Sequence, residues 1–213
     1  MKEKGVIFDL DGVICSTDRY HYLAWKTIAD QEGIYFDEVI NNRLRGISRL
    51  DSLDIILEKS EKEYSKEEKL FLAEKKNDIY RELLKNMTEE DAIEDVRYTL
   101  KELKSRGYLI AIGSASKNTK FILERIGLIN AFDEIVDGTM IAHSKPDPEV
   151  FLKAASLLSL PAEKCYVVED AKAGIEAGYR GGFTTIGIQD AKDYIHTDYG
   201  IEKLSDVLKI VQK

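Results

Sequence analysis

Two aspartates that directly follow an apolar run are the first candidates for chemistry. Asp9 and Asp11 come after residues 6–8 (Val-Ile-Phe), lie two positions apart and are followed by Gly12. Residues two apart at the end of a strand project to the same side, so both carboxylates would point into one crevice. Their repulsion costs free energy unless a cation or a shared proton offsets it. The pair therefore predicts a site for a hard divalent ion such as Mg²⁺, with a pair that only shapes a turn as the alternative.

Polar and charged residues also follow three further apolar runs. Residues 113–118 (Gly-Ser-Ala-Ser-Lys-Asn) open a predicted helix, where small hydroxyls and backbone N–H groups suit a phosphate; a serine that only caps the helix is the alternative. Lys145 stands in a turn with two prolines and is either a surface charge or a fixed cation beside phosphate and carboxylates. Glu169 and Asp170 form a second acidic pair. Two acidic pairs with a lysine and a serine at four strand ends indicate one shared site.

The apolar runs indicate the elements that position these residues. Runs rich in valine, isoleucine and aromatic residues, without polar alternation, are typical of strands buried on both faces of a parallel sheet. They are 6–8, 108–112, 135–136, 165–168 and 184–188, and the helical stretches between them are 94–106, 117–126, 149–158 and 171–179. This alternation predicts a doubly wound, Rossmann-like α/β fold, in which ligands bind beyond the carboxyl ends of the strands.

Residues 16–87 differ from the rest of the chain, because they contain no strand-like run and many charged residues. This range predicts an α-helical domain inserted after the first strand, so that residues 1–15 and 88–213 form the α/β core. Ser65 and Glu68 have the spacing of a capping box. The charged run 58–69 is predicted to be a solvated helix face, with a partner site as the alternative.

Composition and charge restrict the class of protein. The 213 residues are 44% hydrophobic and 33% charged, which is typical of a globular chain and excludes disordered and collagen-like classes. The net charge of −8 disfavours nucleic-acid binding, and the longest stretch free of Asp, Glu, Lys and Arg is ten residues, too short to span a membrane. No signal sequence is evident, and Cys15 and Cys165 are too few for a disulfide scaffold. We expect a cytoplasmic monomer without nucleic-acid or membrane partners.

The four motifs resemble, in order and spacing, those of haloacid dehalogenase-type phosphotransferases. The match consists of Asp9-x-Asp11-Gly12, Ser114, Lys145 and Glu169-Asp170, and residues 16–87 would be the helical cap of that superfamily. Within the superfamily, further residues are similar to the β-phosphoglucomutase family. The residues that carry this second resemblance are Thr17, His21, Trp25, Leu44 to Arg49, Ser52, Lys76 and Ser114 to Asn118.

The resemblance implies roles for the acidic residues. Asp9 would be the nucleophile that forms an aspartyl phosphate, which divides one difficult transfer into two easier ones. Asp11 would act as general acid and base toward the sugar oxygen. Mg²⁺ would be held by an Asp9 carboxylate oxygen, the Asp11 backbone carbonyl, and Glu169 or Asp170.

Ser114 and Lys145 would hold the equatorial oxygens of the transferring phosphoryl group. The resemblance further implies an isomerase that interconverts β-D-glucose 1-phosphate and glucose 6-phosphate through β-glucose 1,6-bisphosphate. A sugar-phosphate phosphatase with the same nucleophile and metal is the alternative, because a superfamily fold does not determine the reaction. The intact acidic and basic residues disfavour a third possibility, a phosphosugar-binding protein without catalysis.

The same resemblance implies a set of substrate-binding residues. Arg49 is the candidate ligand for the distal phosphate, since arginine suits bidentate phosphate contacts. The alternative is that Arg43, Arg45 and Arg49 only form ion pairs with glutamates of the cap. Lys76 falls on the apolar stripe of its helix, and His21 and Trp25 share one helix face. The full set is Thr17, His21, Trp25, Arg45, Gly46, Ile47, Ser48, Arg49, Ser52, Lys76, Ala115, Ser116, Lys117 and Asn118.

Two segments depart from the family's pattern. Cys15-Ser16-Thr17 stands where the first motif usually continues as Thr-Asp-Thr, so one acidic acceptor is missing at the crossing between the domains. Ala171 stands where a serine usually follows the second acidic pair, which removes a hydroxyl donor but no expected metal ligand.

Overall fold

The structure, a computed structural model, describes residues 4–44 and 47–211. The chain forms two compact units: one contains Thr17–Asn86, and the other is built from the two ends of the chain, up to Ser16 and from Met87 onward. These limits differ by one residue at each crossing from the range 16–87 expected for the cap. Among the described residues, none of the helices combines the length and hydrophobicity that a membrane span requires.

Helices and strands alternate in the unit formed by the chain ends, whereas every described element of the other unit is a helix. In chain order the elements are β1 (Gly5–Phe8), α1 (Asp18–Gln31), α2 (Glu38–Asn42), α3 (Arg49–Leu57), α4 (Lys66–Leu84), α5 (Val96–Ser105), β2 (Leu109–Gly113), α6 (Thr119–Arg125), β3 (Glu134–Val136), α7 (Glu149–Leu157), β4 (Cys165–Glu169), α8 (Lys172–Arg180), β5 (Thr184–Ile188), β6 (Tyr199–Ile201) and α9 (Val207–Ile210). Short 3₁₀ turns cover Glu89–Asp91, Ala162–Lys164, Gln189–Ala191 and Leu204–Asp206.

The strands form one parallel sheet in the order β3-β2-β1-β4-β5-β6. The order reverses between β1 and β4, and a crevice forms at such a point in a doubly wound sheet. The register sets the strand ends level, because Phe8 lies opposite both Ile112 of β2 and Val168 of β4. The residues that follow these three strands therefore reach the same edge of the sheet, and the predicted doubly wound α/β fold is confirmed.

The sheet is buried on both faces, which explains why its strands are nearly continuous apolar runs. Ile7 and Val167 pack on one face against Phe151 and Ala154 of α7, and all four side chains are inaccessible to solvent. The predicted strand and helix limits agree with the observed limits to within two residues.

The sixth strand, β6, was not predicted from the sequence. It lies at the sheet edge beside β5, and Tyr199 and Gly200 are exposed, so no apolar run marks it. Thr185 of β5 anchors the segment that precedes β6. Its buried hydroxyl donates to the His196 carbonyl at 2.6 Å and accepts from the Asp198 N–H at 3.0 Å, while its own N–H donates to the Asp198 carboxylate at 2.8 Å.

The helical unit has a core of its own. Trp25 and Ile28 of α1, Leu53 of α3 and Leu72 of α4 belong to one buried apolar cluster. The predicted capping box is confirmed at the start of α4: the Ser65 hydroxyl accepts from the Glu68 N–H at 3.2 Å, and the Glu68 carboxylate accepts from the Ser65 N–H at 2.8 Å. The prediction that 58–69 is a helix face was wrong for residues 58–65, which connect α3 to α4; helix begins again only where this box supplies the cap.

The buried hydroxyl of Thr185 provides a test of how β6 is held. We expect Thr185→Val to lower the free energy of unfolding by about 1–3 kcal/mol, because the isosteric change removes the hydroxyl group that bonds both the Asp198 N–H and the His196 carbonyl. Thr184→Val is the matched control, because Thr184 lies one position earlier on β5 and is only half-buried. It should change the free energy of unfolding by less than about 0.5 kcal/mol. Urea unfolding measures both; equal losses would contradict the role assigned to Thr185.

Candidate active site

Asp9 and Glu169 lie at the two strand ends that border the reversal of strand order. Asp9 directly follows β1, and its backbone N–H donates to the carbonyl of Val168 in β4 at 3.0 Å. Glu169 is the last residue of β4 and is almost completely buried. The ladder between β1 and β4 thus places the two acidic segments side by side at the position where doubly wound sheets bind ligands.

Lys145 enters this position from the loop before α7. Its ammonium donates to the Asp9 carboxylate and, at 2.6 Å, to the Glu169 carboxylate. The side chain is 10% exposed, and the Nζ atom lies 4.6 Å from the centre of the Phe151 ring. A buried ammonium between two buried carboxylates compensates charge that would otherwise destabilise the fold.

Three carboxylates come together around this lysine. Oxygens of Asp9, Glu169 and Asp170 lie within 4.8 Å of one another. Three carboxylates and one ammonium carry a formal charge of −2, so the cluster holds more negative charge than Lys145 can balance. Closely spaced oxygen donors with this charge suit a hard divalent cation such as Mg²⁺. Asp11 is not a member of this group of carboxylates.

Burial and the excess negative charge raise the pKa values of Asp9 and Asp170 in this cluster. Burial, together with Glu169 and Asp11, raises the pKa of Asp9 to about 7, against the opposing effect of Lys145. Burial and the charges of Glu169, Asp9 and Asp11 raise the pKa of Asp170 to about 9. Burial disfavours the ammonium of Lys145, but Asp9 and Glu169 outweigh that effect and raise its pKa. Lys145 is therefore charged at neutral pH, and the carboxylates resist full ionisation without a further cation.

Two glycines make room for the carboxylates. Gly12 has φ = 83°, and a Cβ atom there would lie 2.0 Å from the Asp170 carboxylate. A Cβ atom on Gly174, in α8, would lie 1.8 Å from the Glu169 carboxylate. Only glycine fits at either position without displacing an acidic side chain. Gly174 was not predicted from the sequence to have a role, although a glycine inside a predicted helix is the signal for such a close approach.

The loop after β2 reaches the same edge of the sheet. The Ser114 side chain is buried, and its hydroxyl oxygen accepts from the Ser116 N–H at 3.2 Å. The Ser116 hydroxyl oxygen accepts in turn from the N–H of Asn118, which is also buried. Ala115 and Lys117 are exposed. Gly138 donates its N–H to the Ser116 carbonyl, which holds the loop against the end of β3.

His143, Asp147 and Glu149 form a second group of closely spaced ligand atoms, on the exposed loop around Lys145. The Glu149 carboxylate accepts backbone N–H bonds from Ala142 at 3.0 Å and His143 at 2.8 Å, and Asp147 accepts from the Glu149 N–H at 2.9 Å. These bonds shape the loop that presents Lys145, and they account for the cluster without an ion. Glu149 is a supporting residue that was not predicted from the sequence.

In the helical unit, His21, Trp25 and Lys76 form one compact group. Lys76 is 2% exposed, and its ammonium lies 2.7 Å from His21 Nδ1. It also lies 4.8 Å from the Trp25 ring and 4.7 Å from the Tyr80 ring, and Tyr80 stacks on His21. Burial and the positive charges of Lys76 and Arg49 lower the pKa of His21 well below its usual value, so its imidazole is neutral at neutral pH.

The arginines of the helical unit differ in their partners. Arg49 begins α3, is half-buried, and donates to the Asn77 side-chain oxygen at 2.9 Å. Arg43 pairs with Glu58 at 2.8 Å, which is the alternative interpretation of this cluster. Arg45 and Gly46 lie outside the described residues.

The remaining candidates of the helical unit lie in or beside its helices. Thr17 directly precedes α1, and its carbonyl accepts from the His21 N–H at 3.0 Å. Ile47 is exposed. Ser48 caps α3 by accepting from the Asp51 N–H at 3.2 Å, and Ser52 is buried within α3. Ser48 therefore has a structural partner of its own.

The two departures from the family's pattern have structural consequences. Cys15 is buried, and burial and the charges of Asp11 and Asp9 raise its pKa well above the usual value, so it is a protonated thiol. At Ala171 the missing hydroxyl does not remove every donor, because the Ala171 backbone N–H still donates to the Glu169 carboxylate at 3.0 Å.

Comparison with known proteins gives consistent matches. Residues 6–188 match the family described as haloacid dehalogenase-like hydrolase. The β-phosphoglucomutase of Bacillus subtilis (strain 168) is 41% identical over 206 residues, which cover 96% of this chain and 91% of that protein. The phosphorylated carbohydrates phosphatase of Thermotoga maritima is 31% identical, with coverage of 86% and 83%. A crystal structure of β-phosphoglucomutase from Clostridium difficile superposes with a TM-score of 0.89 at 36% identity, covering 99% of this chain and 96% of that one.

The raised pKa of Asp170 leads to a test of the acidic cluster. A carboxyl group whose pKa is higher in the folded than in the unfolded chain binds its proton more tightly when folded, so the free energy of unfolding falls as the pH rises from about 4 to about 9. We expect Asp170→Asn to raise the melting temperature in EDTA at pH 8 by several degrees, at about 2–4 °C per kcal/mol, and much less at pH 4.

Scanning calorimetry in EDTA and in MgCl₂ measures this effect. Mg²⁺ should stabilise the wild-type protein more than Asp170→Asn, and the exposed control Asp193→Asn should follow the wild type at every pH. A lower melting temperature for Asp170→Asn in EDTA at pH 8 would show that the cluster does not carry excess negative charge.

Proposed function

Because the chain belongs to the haloacid dehalogenase-like hydrolase family, we propose that it is a phosphomutase that interconverts β-D-glucose 1-phosphate and glucose 6-phosphate. The observation that carries this proposal is the contact of Lys145 with both Asp9 and Glu169 at the reversal of strand order. It provides a nucleophile, a fixed cation and a set of oxygen ligands at one point. The 41% identity to a β-phosphoglucomutase favours isomerisation over hydrolysis.

We assign Asp9 as the nucleophile. In the first half-reaction, a phosphoenzyme on Asp9 gives its phosphoryl group to the 6-hydroxyl of β-glucose 1-phosphate, which forms β-glucose 1,6-bisphosphate. In the second, an Asp9 oxygen attacks the phosphorus at C1, the bond from phosphorus to the C1 oxygen breaks, and glucose 6-phosphate leaves. One residue thus accepts and returns the phosphoryl group in each cycle.

Proton transfer is assigned to Asp11. It takes the proton of the 6-hydroxyl when that oxygen attacks and gives a proton to the C1 oxygen when that bond breaks, so no net proton is consumed. Asp11 suits this role because it lies close enough to Asp9 to raise that group's pKa, yet it is not among the three clustered carboxylates.

Lys145 and Ser114 are assigned to the phosphoryl oxygens. The Lys145 ammonium, held by Asp9 and Glu169, supplies a fixed positive charge beside the attacking oxygen. Ser114 reaches the same edge from β2. When bound by Asp9, Glu169, Asp170 and the Asp11 carbonyl, Mg²⁺ would neutralise charge on the transferring group and keep Asp9 ionised.

The cap residues are assigned to the non-reacting part of the substrate. Arg49 is a candidate ligand for the distal phosphate, because its described side-chain partner is the neutral amide of Asn77 and its guanidinium keeps its charge. Lys76, with His21 and Trp25, offers a further positive charge beside hydrogen-bonding and aromatic groups that suit a sugar phosphate.

The first test follows both products of one reaction. With β-glucose 1-phosphate, Mg²⁺ and β-glucose 1,6-bisphosphate as primer, we expect glucose 6-phosphate to form with little free phosphate. Asp9→Asn should leave no phosphoenzyme detectable by mass spectrometry and less than about one-thousandth of the wild-type rate, whereas Asp193→Asn should be unaffected. Free phosphate as the main product would identify a phosphatase instead, and undiminished turnover of Asp9→Asn would remove its assignment.

A second test concerns Arg49. We expect Arg49→Ala to lower kcat/KM for the bisphosphate by about 10- to 100-fold, because a charge-assisted phosphate contact is lost, while hydrolysis of acetyl phosphate changes little. Arg43→Ala is the matched control, since its ion pair with Glu58 is exposed and should contribute little. Equal losses on both substrates would mean that Arg49 does not bind the distal phosphate.

A further inference from the structure

Gln189 lies directly after β5, and its side chain reaches the loop that contains Asp9 and Asp11. The side-chain Nε2 donates a 2.7 Å hydrogen bond to the carbonyl oxygen of Gly12. We propose that Gln189 is a positioning residue that holds this loop in the conformation that binds Mg²⁺. The inference rests on the proposed function, because it concerns the metal ligands assigned there.

The backbone of Gln189 is in an unfavourable conformation. Its φ of 54° lies in the left-handed region, and among the described residues other than glycine only Ser159, at 57°, shares it. This region is uncommon for a residue with a long side chain and costs free energy. Such conformations persist where the surrounding structure holds them, and they are concentrated at functional sites.

Gly12 is the residue through which Gln189 acts. The Gly12 N–H donates to the Cys15 carbonyl at 2.7 Å, and the Gly12 carbonyl accepts from Gln189. Both peptide planes that flank Gly12 are therefore held. Because a trans peptide is planar, with its C=O and N–H pointing in opposite directions, the bond from the Gly12 N–H also sets the direction of the Asp11 carbonyl.

Asp170 links the conformation of Gly12 to the proposed metal site. A Cβ atom on Gly12 would lie 2.0 Å from an Asp170 carboxylate oxygen, so the Gly12 backbone packs closely against that side chain. Rotation of Gly12 would change the direction of the Asp11 carbonyl and the space beside Asp170 together. Both are assigned as metal ligands, so a bond that prevents this rotation should favour Mg²⁺ binding.

The test compares two substitutions that differ in backbone strain. Gln189→Gly removes the hydrogen bond and relieves the strain, whereas Gln189→Met removes the bond but keeps side-chain length and strain. We expect both to raise the Kd for Mg²⁺, measured by calorimetric titration of the metal-free protein, by about three- to tenfold. We also expect kcat to fall by a similar factor at subsaturating Mg²⁺, with KM for the sugar phosphate unchanged.

Ser159→Gly is the matched control, because it relieves the same backbone strain on an exposed turn after α7. Gln189→Gly and Ser159→Gly should both melt at or above the wild-type temperature in EDTA, and only the former should bind Mg²⁺ more weakly. Wild-type Mg²⁺ affinity in both Gln189 variants would overturn the inference and leave the proposed function intact. If the wild-type protein binds Mg²⁺ but does not isomerise, the proposed function fails, and the Mg²⁺ affinities alone decide the inference.

Discussion

The buried ammonium of Lys145 is the interaction on which the rest of the site depends. Without it, Asp9 and Glu169 would be two buried carboxylates in contact range with nothing to offset their desolvation and repulsion. With it, the cluster is still short of positive charge, as the raised pKa values of Asp9 and Asp170 indicate. The fold therefore maintains a site that is stable enough to form and acidic enough to favour a divalent cation.

The sheet topology makes this charge cluster possible. The reversal of strand order between β1 and β4 brings Asp9 beside Glu169, and the level register of β2 brings residues 113–118 to the same edge. Glycines then allow the close approach that the charges require, since neither Gly12 nor Gly174 could carry a side chain without displacing a carboxylate. Backbone conformation and electrostatics are thus set by the same few residues.

The helical unit has the opposite electrostatic character at its candidate residues. Lys76 is buried between aromatic rings and contacts a neutral His21, and Arg49 lies near enough to lower the pKa of that histidine. A positive, aromatic group of this kind suits the anionic and ring portions of a sugar phosphate, whereas the acidic cluster suits a metal ion. One chain thus provides two complementary chemistries on separately packed units.

Local pattern was sufficient to predict five strands, because burial on both faces of a parallel sheet requires apolar runs. It was also sufficient for the helical insert and for the capping box at Ser65. It was not sufficient for β6, whose edge position leaves Tyr199 and Gly200 exposed, or for the connection at 58–65, where charge alone does not distinguish a helix face from a loop.

The sequence by itself determined that two acidic pairs, a lysine and a serine-containing loop each follow an apolar run, and it predicted that these residues share one site. Only the tertiary structure decided that Lys145 contacts Asp9 and Glu169, that Gly174 makes room for a carboxylate, and that Gln189 contacts Gly12. These contacts join residues on separate elements, so they depend on strand order and loop conformation, which no local pattern of residues encodes.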